Sequence, residues 1–122
     1  MKEGNVIKEK SFDFALRIIS LYQVLKENNE YVLSRQLLRS GTSIGANVEE
    51  ASAASSKKDF INKMAIASKE ARETIYWLKL LQRSKLVKYD FTSIMKDIDE
   101  IIRILTAIVK SSSDNSKLRI KN

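Results

Sequence analysis

The side chains of this chain that could do chemistry are carboxylates and amines, because it has neither histidine nor cysteine. Without histidine it lacks the usual general base near neutral pH and the commonest metal ligand. The Glu-x-x-His pairs of di-iron bundles are excluded for the same reason. Without cysteine there is no disulfide framework and no thiolate zinc site, which is what a reducing cytoplasm permits. A carboxylate-only Mg²⁺ site built from Glu50, Glu70 and Glu73 is the one enzymatic option left, as in a nuclease. Arg39 and Lys69 lie close enough in the pattern to neutralise those groups instead. The expectation is therefore a protein that is not an enzyme, with no cofactor, no catalytic or metal-ligating residue and no small-molecule substrate.

The least ordinary stretch is Arg39-Ser40-Gly41-Thr42-Ser43-Ile44-Gly45-Ala46-Asn47-Val48-Glu49-Glu50-Ala51. It lies within a helical pattern yet holds two glycines, each costing about 1 kcal/mol there relative to alanine. A phosphate-cradling loop does not account for them, since no Gly-Lys-Ser/Thr ending and no preceding strand are present. Close helix packing does. Gly41 and Gly45 are four apart, so they share a face and let a neighbouring backbone approach. Arg39, Ser43, Asn47 and Glu50 share a second, polar ridge. On the next helix, Glu70 and Glu73 share a face with Ile66 and Trp77. The spacing predicts that Arg39 meets Glu73 or Glu70, with Asn47 bridging, in a structural network between helices.

The amines point to polyanions. The formal net charge is +7, and residues 57–90 hold nine Lys/Arg against four Asp/Glu, while residues 110–122 hold four against one. A surplus so placed favours nucleic acid first and an anionic membrane second, against the alternative of a merely solvated face. The candidate phosphate contacts are Lys57, Lys58, Lys63, Lys69, Arg72, Lys79, Arg83, Lys85 and Lys88, with Lys117, Arg119 and Lys121 on the C-terminal tail. Trp77 and the tyrosines are not interleaved with this run as stacking platforms would be, which argues against reading of bases. The rival is a protein-binding scaffold whose lysines serve only solubility.

These residues need helices to position them. With 122 residues, no proline and three glycines, the chain suits one all-α domain. Helical periodicity marks about 6–27, 31–55, 57–84 and 91–110. Phe14, Ile18, Leu21 and Leu25 form the first stripe; Leu33, Leu37, Ile44, Val48 and Ala51 the second. Phe60, Met64, Ala67, Ala71, Thr74, Leu78 and Leu81 form the third, and Ile94, Ile98, Ile101, Leu105 and Ile108 the fourth. Asn28-Asn29 suits a helix end, Ser56 with Asp59 a helix start, and Asp90 a cap. Short connections make an antiparallel up-down-up-down four-helix bundle over residues 1–111 the simplest solution, with 112–122 a basic, flexible tail. The apolar run Phe14 to Leu25 is broken by Arg17, Ser20 and Gln23 and reads neither as a signal peptide nor as a span, so a cytoplasmic location away from membranes is expected. Phe12, Leu16 and Val24 on the first helix, and Ile102, Ile104 and Val109 on the last, exceed one stripe. Surplus apolar surface of that kind predicts self-association.

The glycine-bearing segment, followed by Asp59-Phe60, Lys63, Lys69-Glu70-Ala71-Arg72-Glu73-Thr74 and Tyr76-Trp77-Leu78, resembles the four-helix-bundle proteins encoded in intervening sequences of bacterial 23S ribosomal RNA genes. The likeness spans about residues 12–110. It implies a bundle that assembles into a ring, a pentamer, and a relation to the accessory proteins of diversity-generating retroelements, which bind nucleic acid and a reverse transcriptase. Ribosomal RNA or another nucleic acid is the partner it implies.

Overall fold

The computed structural model describes the backbone of residues 2–121 and the side chains of residues 4–114. Four helices follow one another: α1 (Lys2–Glu27), α2 (Leu33–Ser52), α3 (Lys57–Ser84) and α4 (Thr92–Lys121). No strand occurs among the described residues. The order of contacts closes a square. Each helix packs on its neighbours in sequence and α1 packs on α4, while among the described residues the backbones of α1 and α3, and of α2 and α4, do not closely approach.

The side-chain pairs give the directions. Lys8 meets Glu49 at 3.6 Å, and a Cβ on Gly41 would meet Ile18, so α2 descends as α1 rises. Lys63 meets Glu50 and Thr74 meets Ser40, so α3 runs against α2. Lys10 meets Glu100 at 2.8 Å and Arg17 meets Asp97, so α4 runs against α1. This is the antiparallel up-down-up-down bundle, with α1 and α3 parallel on one diagonal.

The core is the four stripes read from the sequence. Every apolar residue named for the first and last stripes is buried, as are Leu37, Ile44, Val48 and Ala51 of α2 and Met64 to Leu81 of α3. Leu33 and Phe60 are half-buried at the ends. Val87 and Phe91 close the α3–α4 end, where Tyr89 packs edge-on to Phe91 with ring centroids 4.8 Å apart.

Helix ends follow local chemistry. Asn29 takes a left-handed φ of 63°, and the N–H groups of Asn29 and Glu30 return to the carbonyls of Lys26 and Leu25. That pairing satisfies the last carbonyls of α1. The Glu30 carboxylate then accepts the N–H groups of Val32, Leu33 and Ser34 at 3.2, 2.9 and 2.7 Å, so α2 starts at Leu33 rather than Tyr31. Ser56 caps α3 by accepting the Asp59 N–H at 3.0 Å, and Asp90 accepts the Thr92 N–H at 3.0 Å. Both agree with the sequence reading.

Three further boundaries differ from expectation. α1 begins at Lys2, not near Val6, and its buried stripe opens with Ile7 and Ser11 ahead of Phe14. α2 stops at Ser52, not Ser55, where Ala53 leaves the helical backbone. The helical backbone of α4 continues to Lys121, through residues 112–121 that were expected to form a tail. Nothing in Ser111-Ser112-Ser113 breaks a helix, and Ser112 continues the stripe of Leu105 and Ile108 with 7% exposure.

The surplus apolar surface is also redistributed. Val24, Ile102, Ile104 and Val109 are half-buried and pack against the core, filling the seams between helices. On α1 the free surface is Phe12, Leu16 and Ile19, at 61%, 51% and 41% exposure, spaced four and three on one outward ridge. No helix of the described residues is long and apolar enough to cross a membrane.

Candidate nucleic-acid interface

The polar ridge of α2 faces α3 and fixes how α3 is turned. Arg39 reaches across to Glu70 at 3.2 Å and to Glu73, as the spacing predicts. Glu73 accepts a second hydrogen bond, 3.0 Å, from the indole N–H of Trp77. That donor, together with Arg39, holds the Glu73 carboxyl below its ordinary value against the opposing effect of burial. Arg39 is correspondingly raised by its bond to Glu73. Farther along the seam Lys63 lies 3.8 Å from Glu50.

Asn47 does not bridge. Its amide donates to the Ser43 carbonyl one turn back at 2.8 Å, and Ser43 itself donates to the Arg39 carbonyl at 2.6 Å. Both side chains are turned back onto the backbone of their own helix. The buried polar contact between the helices is instead the hydroxyl pair Thr74–Ser40, 3.0 Å apart. Ser40 lies between the ridge and the apolar stripe, so neither pattern singles it out.

The glycines face the other way, toward α1. A Cβ at Gly41 would stand 2.8 Å from Ile18 Cγ1, and one at Gly45 would stand 3.3 Å from the Ser11 carbonyl oxygen. Neither glycine has a positive φ. Their role is the close helix approach read from their spacing.

With Glu70 and Glu73 drawn toward α2, the opposite face of α3 is left basic. Lys58, Lys69, Arg72, Lys79 and Arg83 are exposed there. Lys57 is half-buried, and Lys85 and Lys88 sit in the α3–α4 connection. Among the described residues, none of these eight has a carboxylate within 4.0 Å. Lys63 departs from expectation: it belongs to the seam and pairs with Glu50. The side chains of Lys117, Arg119 and Lys121 lie outside the described residues.

The outward face also corrects the reading that aromatics stand apart from the bases. Lys69, Arg72, Tyr76, Lys79 and Arg83 are spaced three, four, three and four, so they form one ridge. Tyr76 stands in its middle, 56% exposed, with its ring edge-on to Trp77 at a centroid distance of 5.0 Å. The signal was the helical spacing of Tyr76 relative to the bases, hidden by its separation from them along the chain.

Among the described residues no group of three or more acidic side chains stands together as a metal set. A depression of about 210 Å³ between α1 and α4 is crossed by the Lys10–Glu100 and Arg17–Asp97 pairs.

A family profile described as 23S rRNA-intervening sequence protein matches residues 3–107. The chain belongs to that family. A crystal structure of a protein of unknown function from the S23 ribosomal protein family of Bacteroides thetaiotaomicron VPI-5482 is similar to it. The two are 51% identical, with a TM-score of 0.84 over 88% of this chain and 98% of the other. No curated protein matches the chain. The glycine-bearing α2 and the Lys69–Leu78 segment of α3 both lie within the matched residues.

Proposed function

We propose that this member of the intervening-sequence family is a non-enzymatic cytoplasmic protein that assembles with copies of itself and binds RNA or DNA phosphates through the outward face of α3. The observation that carries the reading is the sorting of charge on α3. Its Glu70 and Glu73 are engaged by Arg39, while Lys58, Lys69, Arg72, Lys79 and Arg83 face outward with no carboxylate partner among the described residues. A face merely kept soluble needs no such separation, because mixed charges serve that purpose equally well. Self-assembly, into the pentameric ring that the resemblance implies, is supported by Phe12, Leu16 and Ile19 on α1. Several basic faces held in one particle would add avidity.

The test is retention of structured ribosomal RNA and of duplex DNA at two salt concentrations. Each phosphate neutralised contributes roughly 0.7–0.9 to the slope of log affinity against log salt. The expected result is steep weakening as salt rises, with Arg72→Gln and Lys79→Gln together lowering the slope by roughly 1–2. The exposed α1 stripe also favours a second reading, a protein-binding scaffold. Its partner contacts would survive high salt, and no nucleic acid would be retained in low salt.

A further inference from the structure

We infer that Tyr76 is a stacking platform for an unpaired base, so that the nucleic acid bound on α3 is single-stranded rather than duplex. This rests on the nucleic-acid reading above and adds the form of the ligand. Tyr76 is more than half exposed at the centre of a basic ridge, with Arg72 four residues before it and Lys79 three after. From Lys69 to Arg83 the ridge rises about 21 Å, room for several nucleotides of an extended strand.

The ring is also held in place. Tyr76 packs edge-on against Trp77, the indole N–H of Trp77 is bonded to Glu73, and Glu73 is clamped by Arg39. A fixed aromatic face loses little freedom when a base stacks on it, and every base has such a face to offer. Leu80, one turn on and 36% exposed, widens the apolar platform. A duplex buries its base faces within its own stack and offers a convex helix its phosphates, which the cations alone would hold. Only an unpaired strand uses both the cations and the ring.

The test measures anisotropy of labelled oligouridylate, about 12 nucleotides long so that it spans the ridge, against an RNA duplex of the same length. Wild type, Tyr76→Ala, Tyr76→Trp and Arg72→Gln are compared. The expected result is tighter binding of the single strand. Tyr76→Ala should lose roughly fivefold to a hundredfold of that affinity while leaving duplex binding unchanged, and Tyr76→Trp should restore it. Arg72→Gln should weaken both ligands alike. Trp77, the one tryptophan in the chain, should change its emission on single-strand binding. Equal loss for strand and duplex, or no loss from Tyr76→Ala, overturns the stacking role while the phosphate reading stands. A Tyr76→Ala protein of altered particle size in sedimentation makes the tyrosine an assembly contact and also overturns the role. Failure of the wild type to bind either RNA in low salt removes the nucleic-acid reading itself.

Discussion

Gly41→Ala tests whether α1 and α2 are as close as their glycines indicate. In an exposed helix this substitution would stabilise by about 1 kcal/mol through helix propensity. Here the new methyl would stand 2.8, 2.9 and 3.2 Å from three carbons of Ile18. Ile18 is fully buried and cannot swing into solvent. Overpacking of that kind costs about 1–3 kcal/mol, and three short contacts to one enclosed side chain place this case in the upper half. The expected net loss is about 1–2 kcal/mol after the propensity gain. Gly45→Ala should be milder, about 0–1 kcal/mol, because its one tight neighbour, the Ser11 carbonyl at 3.3 Å, need give only a few tenths of an ångström. Ile18→Ala alone should cost about 2–5 kcal/mol, and less in the Gly41→Ala background, where the methyl enters the space Ile18 leaves. Urea unfolding followed by circular dichroism, at one fixed protein concentration, measures all four proteins. A Gly41→Ala protein as stable as wild type, or additive losses with Ile18→Ala, would refute the close approach.

Phe12→Ser with Leu16→Ser should shrink the particle in light scattering while leaving its helix content intact, since both side chains are exposed in the single chain. Arg39→Met should cost less than about 1 kcal/mol, as its ion pairs are partly exposed, yet change Trp77 emission because Glu73 loses its clamp. Glu73, Glu100 and Asp90 all titrate below their ordinary values, held respectively by Trp77 and Arg39, by Lys10, and by Thr92. Depressed carboxylates contribute stability that is complete above their unfolded values and lost as pH falls through the folded ones. Acid titration should therefore show a decline starting near pH 4.5 and continuing below it, with a shallower limb in Glu73→Gln. Lys85 ends α3 with a left-handed φ of 58°. Lys85→Gly should gain up to about 1 kcal/mol in thermal unfolding, because glycine adopts that backbone without the Cβ penalty.

The fold was legible because its signals repeat. Ile94, Ile98, Ile101, Leu105 and Ile108 state one buried face five times over, and an error at one position would not move it. Ser56 with Asp59 was equally readable, being local chemistry within one turn. Arg39 with Glu70 and Glu73 was legible from two ridges whose helices must be neighbours. What was missed depends on reach and rotation rather than on pattern. Asn47 shares the ridge with Arg39 but spends its amide on the Ser43 carbonyl of its own helix. Ile102 and Val109 look surplus beside a single stripe, but in a four-sided bundle a second stripe fills the seam with the next helix. Lys63 and Lys69 are six residues apart, and only the turn of α3 puts one against Glu50 and the other outside. Tyr76 was hidden for the same reason.

The square arrangement leaves α1 and α3 on one diagonal, with no close backbone approach between them among the described residues. Their free sides accordingly look away from each other, the apolar ridge of Phe12, Leu16 and Ile19 to one side and the basic ridge of α3 to the other. A copy docked on the first would leave the second untouched. Substitutions on the two ridges should add energetically, having no shared neighbours. The proposed joining and holding thus fall on opposite walls of one small box, and a larger assembly built through one wall would gain a longer cationic perimeter without any new sequence.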